Sequence, residues 1–469
     1  MERLAFNTGG PVPSRTDATR RRAPVPAAAI VPVRAAAPEH DATAFTWLLA
    51  FTFVLFMRPQ DQLPFLQPLH LADVTASLAL IALAAGRLGR GAPVTRLTPE
   101  LGWVLAFGGV MLATAPFSVW PGGAVGVFTD LFSKVILVFA LMINTITTRA
   151  RLERFVGVVI AGTSYIAVLT VVDYLRGVNL VEGGRASGAV GGLFGNPNDM
   201  ALNMVAFLPL AVVAALRRQR PVLRAIAMVG IPFIVGAIVF SKSRGGLVGL
   251  VAMLAVLLYQ LRRVRPGVAA LVVAATFAAV PMLPDSFTER MSSIVNPEED
   301  PTGSREARKR LLREGYQAFL ENPVFGLGAG QFKNYNPDGR QERWRETHNA
   351  VLQVASEMGI GGVIVFVIVV GSGFAAVLRT GTALRRARTR RRARAPDPAR
   401  AGREPMELYA AAMAASLAGW FMAAMFASVA YYWTFYIVLG LATAVRDVVR
   451  QELPGEPAAG PADCRAEAA

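Results

Sequence analysis

Residues 222–261 read VLRAIAMVGIPFIVGAIVFSKSRGGLVGLVAMLAVLLYQL, and this stretch decides the fold. Two apolar runs, 222–240 and 244–261, are separated only by Ser241, Lys242 and Ser243. At about 1.5 Å of rise per residue, each run as a helix covers roughly 27–29 Å, close to the ~30 Å thickness of a bilayer's hydrocarbon core. The connection is too short for anything but a helical hairpin. Neither run has a polar face, so lipid rather than water is the solvent that both are built for.

The same pattern extends in both directions. Hydrophobic residues make up 54% of the 469-residue chain, charged ones only 17%, and the mean hydropathy is +0.43, more than a water-soluble domain needs for its core. Apolar stretches of membrane-spanning length fall near 44–57, 69–86, 100–117, 125–143, 155–175, 199–216, 222–240, 244–261, 267–283, 349–378, 406–428 and 431–446. The expected fold is an all-α integral membrane protein with about 12 transmembrane helices and one long periplasmic loop containing short amphipathic helices. Residues 1–43, rich in Ala, Pro and Arg, read as a disordered cytoplasmic tail. The first nine helices occupy 44–283, the loop 284–348, and the last three helices 349–446. A basic cytoplasmic loop at 379–404 interrupts these three, and 447–469 forms a second cytoplasmic tail.

Charge sets the orientation. A formal net charge of +16 invites nucleic acid, but the basic residues sit in short clusters between apolar runs rather than along one stripe. Arg87, Arg90 and Arg96, then Arg149, Arg151 and Arg154, then Arg217, Arg218, Arg220 and Arg224, then Arg262, Arg263 and Arg265 occupy alternate loops, as does the run from Arg379 to Arg403. Cytoplasmic loops retain positive charge, so both termini are expected in the cytoplasm. The single cysteine, Cys464, excludes an intrachain disulfide framework and a cysteine-based metal site.

The segment 284–347 is long, polar and of balanced charge, which a translocated loop tolerates. Within it Ser304 is a plausible helix N-cap, and Leu312, Tyr316 and Phe319 recur at helical spacing, predicting an amphipathic helix at the membrane surface. Phe325-Gly326-Leu327-Gly328-Ala329-Gly330 follows as a tight turn. It lacks the Gly-Lys-Ser/Thr ending of a phosphate loop, and the acidic run Glu298-Glu299-Asp300 reads as solvated surface rather than as a metal site.

A few polar residues oppose this background. Lys242 and Arg244 put positive charge on the outer side, against the topology bias; snorkelling to headgroups, with Gly245 and Gly246 allowing close helix packing, is the competing reading. Arg305 is on its own more easily an exposed helix charge. His348 stands at the membrane boundary, followed at four-residue spacing by Asn349, Gln353 and Glu357 on one helix face. A carboxyl inside a span marks a functional site by default, with a hydrogen bond to a neighbouring helix as the alternative. Asp130 and Lys134, also four apart, read as a structural ion pair.

Gly195-Asn196-Pro197-Asn198, Ser243-Arg244-Gly245-Gly246, Glu321-Asn322-Pro323-Val324-Phe325-Gly326-Leu327-Gly328 and His348-Asn349 with Gln353 and Glu357-Met358-Gly359 together resemble the bacterial O-antigen ligase and polymerase superfamily, over roughly Gly195 to Phe366. The resemblance implies a metal-independent, inverting membrane glycosyltransferase of the bacterial inner membrane, with no cofactor. Its donor is a polyprenyl-diphosphate-linked glycan, used on the periplasmic face, and its acceptor a lipid core or another glycan. Elementary chemistry fits this. A diphosphate leaving group needs its charge stabilised, which Arg244 and Arg305 are suited to do, and a sugar hydroxyl needs its proton removed, which His348 is suited to do. Lys242, Ser243, Asn198, Asn349 and Glu357 are the accompanying substrate-binding candidates. A ligase is the leading expectation and a polysaccharide polymerase the next. Protein O-glycosylation follows, then a lipid-linked-glycan flippase, for which the sequence carries no internal repeat.

Overall fold

Proline and short polar caps decide where most helices begin. The computed structural model describes residues 41–181, 183–217, 220–292, 304–336, 345–392 and 400–453, without the side chains of residues 193, 304–305, 388–392 and 400–404. The helices in chain order are α1 (Ala42–Met57), α2 (Pro59–Gln62), α3 (Leu71–Leu88), α4 (Pro99–Thr114), α5 (Pro121–Val127), α6 (Ser133–Thr145), α7 (Arg149–Leu175), α8 (Pro197–Leu216), α9 (Pro221–Phe240), α10 (Arg244–Val264), α11 (Pro266–Ala279), α12 (Asp285–Ser292), α13 (Ser304–Glu321), α14 (Ala350–Arg392), α15 (Arg400–Ala424) and α16 (Trp433–Glu452). Pro59, Pro99, Pro121, Pro197, Pro221 and Pro266 each stand at a helix start, where a missing N–H loses no helical bond. Thr98, Thr148 and Ser243 cap α4, α7 and α10 by accepting from the amides of Leu101, Arg151 and Gly246.

Every apolar run of the sequence is helical. Among the described residues nine helical segments are long and apolar enough to cross a membrane, or ten if α11 and α12, which meet at 99°, form one broken span. The other two of the expected twelve are α1, only 16 residues long, and α16, which ends in Arg446, Asp447, Arg450 and Glu452. Side chains such as Phe277, 74% exposed, and Ile81, 63% exposed, stand on helix faces that only lipid satisfies. The chain is a multi-pass membrane protein.

α8, α15 and α16 form the buried centre, with Trp420, Tyr409, Phe435 and Tyr436 among the enclosed side chains. α10 lies against α8 and α15 through glycines. A Cβ at Gly245 would stand 2.5 Å from Cβ of Phe426, and one at Gly249 2.8 Å from Cβ of Ala423, so neither position admits a side chain. The packing role of Gly245 and Gly246 is therefore real.

The basic loop clusters gather at one end of the bundle, and there they are also structural. Glu153 accepts from Arg149, Arg217 and Arg220; Arg446 binds Glu100 and Asp447; Arg87 and Arg90 both reach Asp41. The basic run 379–404 is helical at both edges, since α14 continues to Arg392 and α15 begins at Arg400.

One expectation is corrected. A π-helical turn, Phe128–Phe132, links α5 to α6 and shifts the register, so Lys134 meets Asp73 at 3.0 Å while Asp130 takes the hydroxyl of Thr129. The expected helix over the Leu312, Tyr316 and Phe319 stripe is α13, with Leu312 and Tyr316 exposed. Its inward face is Leu311, Gly315 and Ala318, packed with Leu327 and Phe332 and against Leu352 and Thr347. Residues 1–40 of the expected cytoplasmic tail, the run Glu298-Glu299-Asp300 and the side chain of Ser304 lie outside the described residues.

Candidate functional site

At the end of the bundle opposite the Arg clusters, two polar assemblies meet on the 425–432 turn between α15 and α16. The first is built on the Ser241–Arg244 turn. Lys242 holds φ at +47°, a left-handed conformation that non-glycine residues seldom adopt, and its Nζ donates to the Gly183 carbonyl at 3.3 Å. Ser243, the α10 cap, donates its hydroxyl to Asn198 Oδ1 at 2.9 Å. The same Oδ1 accepts from Arg185 Nη2 at 2.7 Å, and Arg185 Nε donates to the Ser241 carbonyl at 3.0 Å. Asn198 is in the first turn of α8, capped by Asn196, so the motif residues around 196–198 and 243–246 are joined by two side chains.

Arg185 was not singled out in the sequence. It sits in a two-stranded hairpin, Leu180–Val181 with Arg185–Ala186, too short for periodicity to show. Arg290 of α12 faces the same hairpin: a Cβ on Gly183 would be 3.3 Å from its Nη1. Burial first, then the charges of Arg290 and Arg185, hold the Lys242 amine below the ordinary lysine range, with Glu289 opposing. Arg244, half-buried, follows directly in the chain. Arg185, Lys242 and Arg290 thus crowd positive charge into a small, partly desolvated volume, an arrangement complementary to an anion, and Arg244 stands next to the Ser243 cap in the chain.

The second assembly is built on His348, also left-handed at φ +53°. Its amide donates to Ser428 Oγ at 2.9 Å, and Thr347 Oγ1 lies 3.1 Å from the same atom. Burial, together with the charges of Arg308 and Arg345, pushes the imidazole down to about 4 from its ordinary 6.5, so it is neutral at physiological pH. Glu346 hydrogen-bonds Ser428, and its carboxyl is raised by desolvation, against the pull of Lys333 and Ser428. Asp199, next to Asn198, lies within electrostatic reach of Glu346. The two assemblies are therefore neighbours, and Phe426 closes the gap by packing on Gly245.

The polar face of α14 follows the same turn residue by residue. Asn349 Nδ2 donates to the Met425 carbonyl at 3.2 Å while its Oδ1 caps Leu352 N at 2.9 Å. Gln353 Oε1 accepts from Ala430 N at 3.2 Å. Glu357 Oε2 accepts from Tyr431 Oη and from Gly330 N, both at 2.7 Å, and its Oε1 from Phe332 N at 3.3 Å. Two residues on, Gly359 takes φ +62° and breaks the helix; the carbonyls of Ser356 and Glu357 accept instead from Leu327 N and Gly328 N. Gly326, Gly328 and Gly330 are all left-handed, which is why the turn needs glycine at alternate positions. α14 thereby holds both the glycine-rich turn and the 425–432 turn.

The backbone of Arg305 lies in the first turn of α13, and its side chain lies outside the described residues. Among the described residues no group of three His, Cys, Asp or Glu is placed to hold a metal ion.

No curated protein matches the chain. A family model described as O-Antigen ligase matches residues 229–367, a range that runs from α9 through the Ser241–Arg244 turn, α13, the glycine-rich turn and His348 into α14. Over those residues, less than half of the chain, the protein is similar to the O-antigen ligase family.

Proposed function

We propose that the protein transfers a glycan from a polyprenyl diphosphate to an acceptor on the periplasmic face, with both chain termini in the cytoplasm. The observation that carries this is a cluster of Arg185, Lys242 and Arg290 neighbouring a neutral histidine held on the 425–432 turn, at the end of the bundle away from the topological arginines. Arg185, Lys242, Arg244 and Arg290 bind the diphosphate, with Arg305 as a further donor, and stabilise the charge that grows as the glycosidic C–O bond breaks. The acceptor hydroxyl attacks the anomeric carbon from the opposite side, inverting it. His348 takes the hydroxyl proton, and the polyprenyl diphosphate departs without protonation. No step in this scheme requires a metal ion.

Asn198, Ser243, Asn349 and Glu357 act one layer out in this proposal. Each already holds a protein partner that fixes a cation or the histidine turn, so they position rather than touch substrate. The test is transfer by purified protein in detergent, with chelator and without a membrane gradient, offering a lipid-core acceptor in one arm and carrier-linked glycan alone in the other. Transfer to the lipid core makes it a ligase, and chain growth on the carrier a polymerase. Turnover in neither arm, with donor bound, rejects the reading in favour of carrier transport.

A further inference from the structure

The opposite end of the molecule carries a cleft with a mixed polar and apolar lining, and nothing in the glycan-transfer reading uses it. A cleft of about 80 Å³ opens between the C-terminal part of α10, the extension of α14 and the start of α15. Its charged lining is Arg263, Arg385 and Glu407, with Gln260; its apolar lining includes Val377, Leu378, Ala410 and Ala411. Arg263 is 19 residues beyond Arg244 on the same helix, about 28 Å away at 1.5 Å per residue, so the cleft lies a bilayer's thickness from the cation cluster.

The lining is graded along the membrane normal. On α14 Arg385 is about 10–12 Å beyond the apolar pair Val377 and Leu378, toward the C-terminal end of the helix. On α15 Glu407 lies about 5–6 Å outward of Ala410 and Ala411. Beside the opening, Tyr259 is 45% exposed, hydrogen-bonded by Arg263 Nη2 at 2.5 Å and covered by the guanidinium groups of Arg262 and Arg263, an interfacial tyrosine at headgroup level. Two guanidinium groups and one carboxylate line the cleft.

We propose that this cleft binds the headgroup of an anionic phospholipid, phosphatidylglycerol in chemical class. The phosphodiester lies between Arg263 and Arg385, and the glycerol ester region rests on Val377, Leu378, Ala410 and Ala411. A free phosphate would satisfy the arginines but not the apolar wall, and a zwitterionic lipid would bring its quaternary ammonium group beside the arginine pair. The reading is independent of the glycan-transfer site.

The experiment is native mass spectrometry of the full chain in detergent, titrated with phosphatidylglycerol, phosphatidylcholine or glycerol 3-phosphate. Wild type is expected to retain phosphatidylglycerol at least tenfold more tightly than phosphatidylcholine and to ignore glycerol 3-phosphate. Arg263→Gln with Arg385→Gln should remove the preference, and Ala411→Leu, which fills the apolar wall without altering charge, should weaken phosphatidylglycerol binding severalfold. Arg262→Gln, whose side chain does not line the cleft, is the control and should change nothing. Equal retention of the two lipids, glycerol 3-phosphate binding as tightly as phosphatidylglycerol, or a preference that survives the double variant in protein of normal unfolding midpoint would each overturn the proposal.

Discussion

Replacing Glu357 by glutamine tests whether that residue is a clasp or a substrate ligand. The carboxylate takes three donors: Gly330 N and Tyr431 Oη at 2.7 Å on one oxygen, and Phe332 N at 3.3 Å on the other. Glutamine keeps the shape and one acceptor oxygen. If that oxygen serves Gly330 and Tyr431, the amide NH2 confronts Phe332 N–H, so one hydrogen bond is lost and a buried donor is left unsatisfied. The expected loss for Glu357→Gln is about 1–3 kcal/mol. Tyr431→Phe removes one donor and should cost about 1–2 kcal/mol.

Because the two residues share a bond, their effects must be non-additive. A double-mutant cycle read by SDS-induced unfolding of the detergent-solubilised protein should give a coupling of about 1–2 kcal/mol. The same variants should make the glycine-rich turn 326–330 more sensitive to protease, since Leu327 and Gly328 depend on the α14 break beside Glu357. Donor affinity should be nearly unchanged while turnover falls, because α13, which packs on Leu327 and Phe332, carries Arg308 beside His348. Stability within 0.5 kcal/mol of the parent, or a zero coupling energy, would refute the clasp. A lost affinity at unchanged stability would restore Glu357 as a substrate ligand.

Arg185→Ala should weaken carrier-diphosphate binding at least tenfold, and Arg185→Lys should recover only part of it, because lysine lacks the fork that reaches both Asn198 and the Ser241 carbonyl; normal affinity in the alanine variant would take Arg185 out of the cluster. For His348 the neutral form is the base, so activity is lost as acid protonates it. With burial, Arg308 and Arg345 holding the imidazole at about 4, kcat/KM should stay level through pH 6.5 and fall only toward pH 4. The break in kcat should lie at higher pH, since bound diphosphate offsets the arginines; a kcat/KM midpoint at or above 6.5 would contradict this. His348→Gln should bind donor yet lose single-turnover transfer, and fast transfer would reduce His348 to a loop cap. Reporters fused after Asp338 and Arg394 should be active outside and inside respectively, and an inside signal at Asp338 would remove the proposed topology and mechanism together.

What the sequence could reveal follows from how each feature is encoded. Spans are legible because apolar length is a property of consecutive residues, and all twelve runs are helices, including 222–240 and 244–261 almost to the residue. Loop chemistry is partly legible, since Asn198, Ser243 and His348 occur in short polar motifs. Arg185, Arg290, Ser428 and Tyr431 were not visible as a group, because their relation is purely spatial: they come from a two-residue strand, a bent helix and a turn some 140 residues downstream. The one misreading shares that cause. Lys134 is four residues from Asp130, yet the π turn between them carries its amine to Asp73 on α3. Apolar length fixes which segments enter the membrane, while close packing at glycines fixes which faces and polar groups meet there. The second step concentrates at Gly245, Gly315, Gly328 and Gly359, the positions where a side chain would separate the elements that build the site.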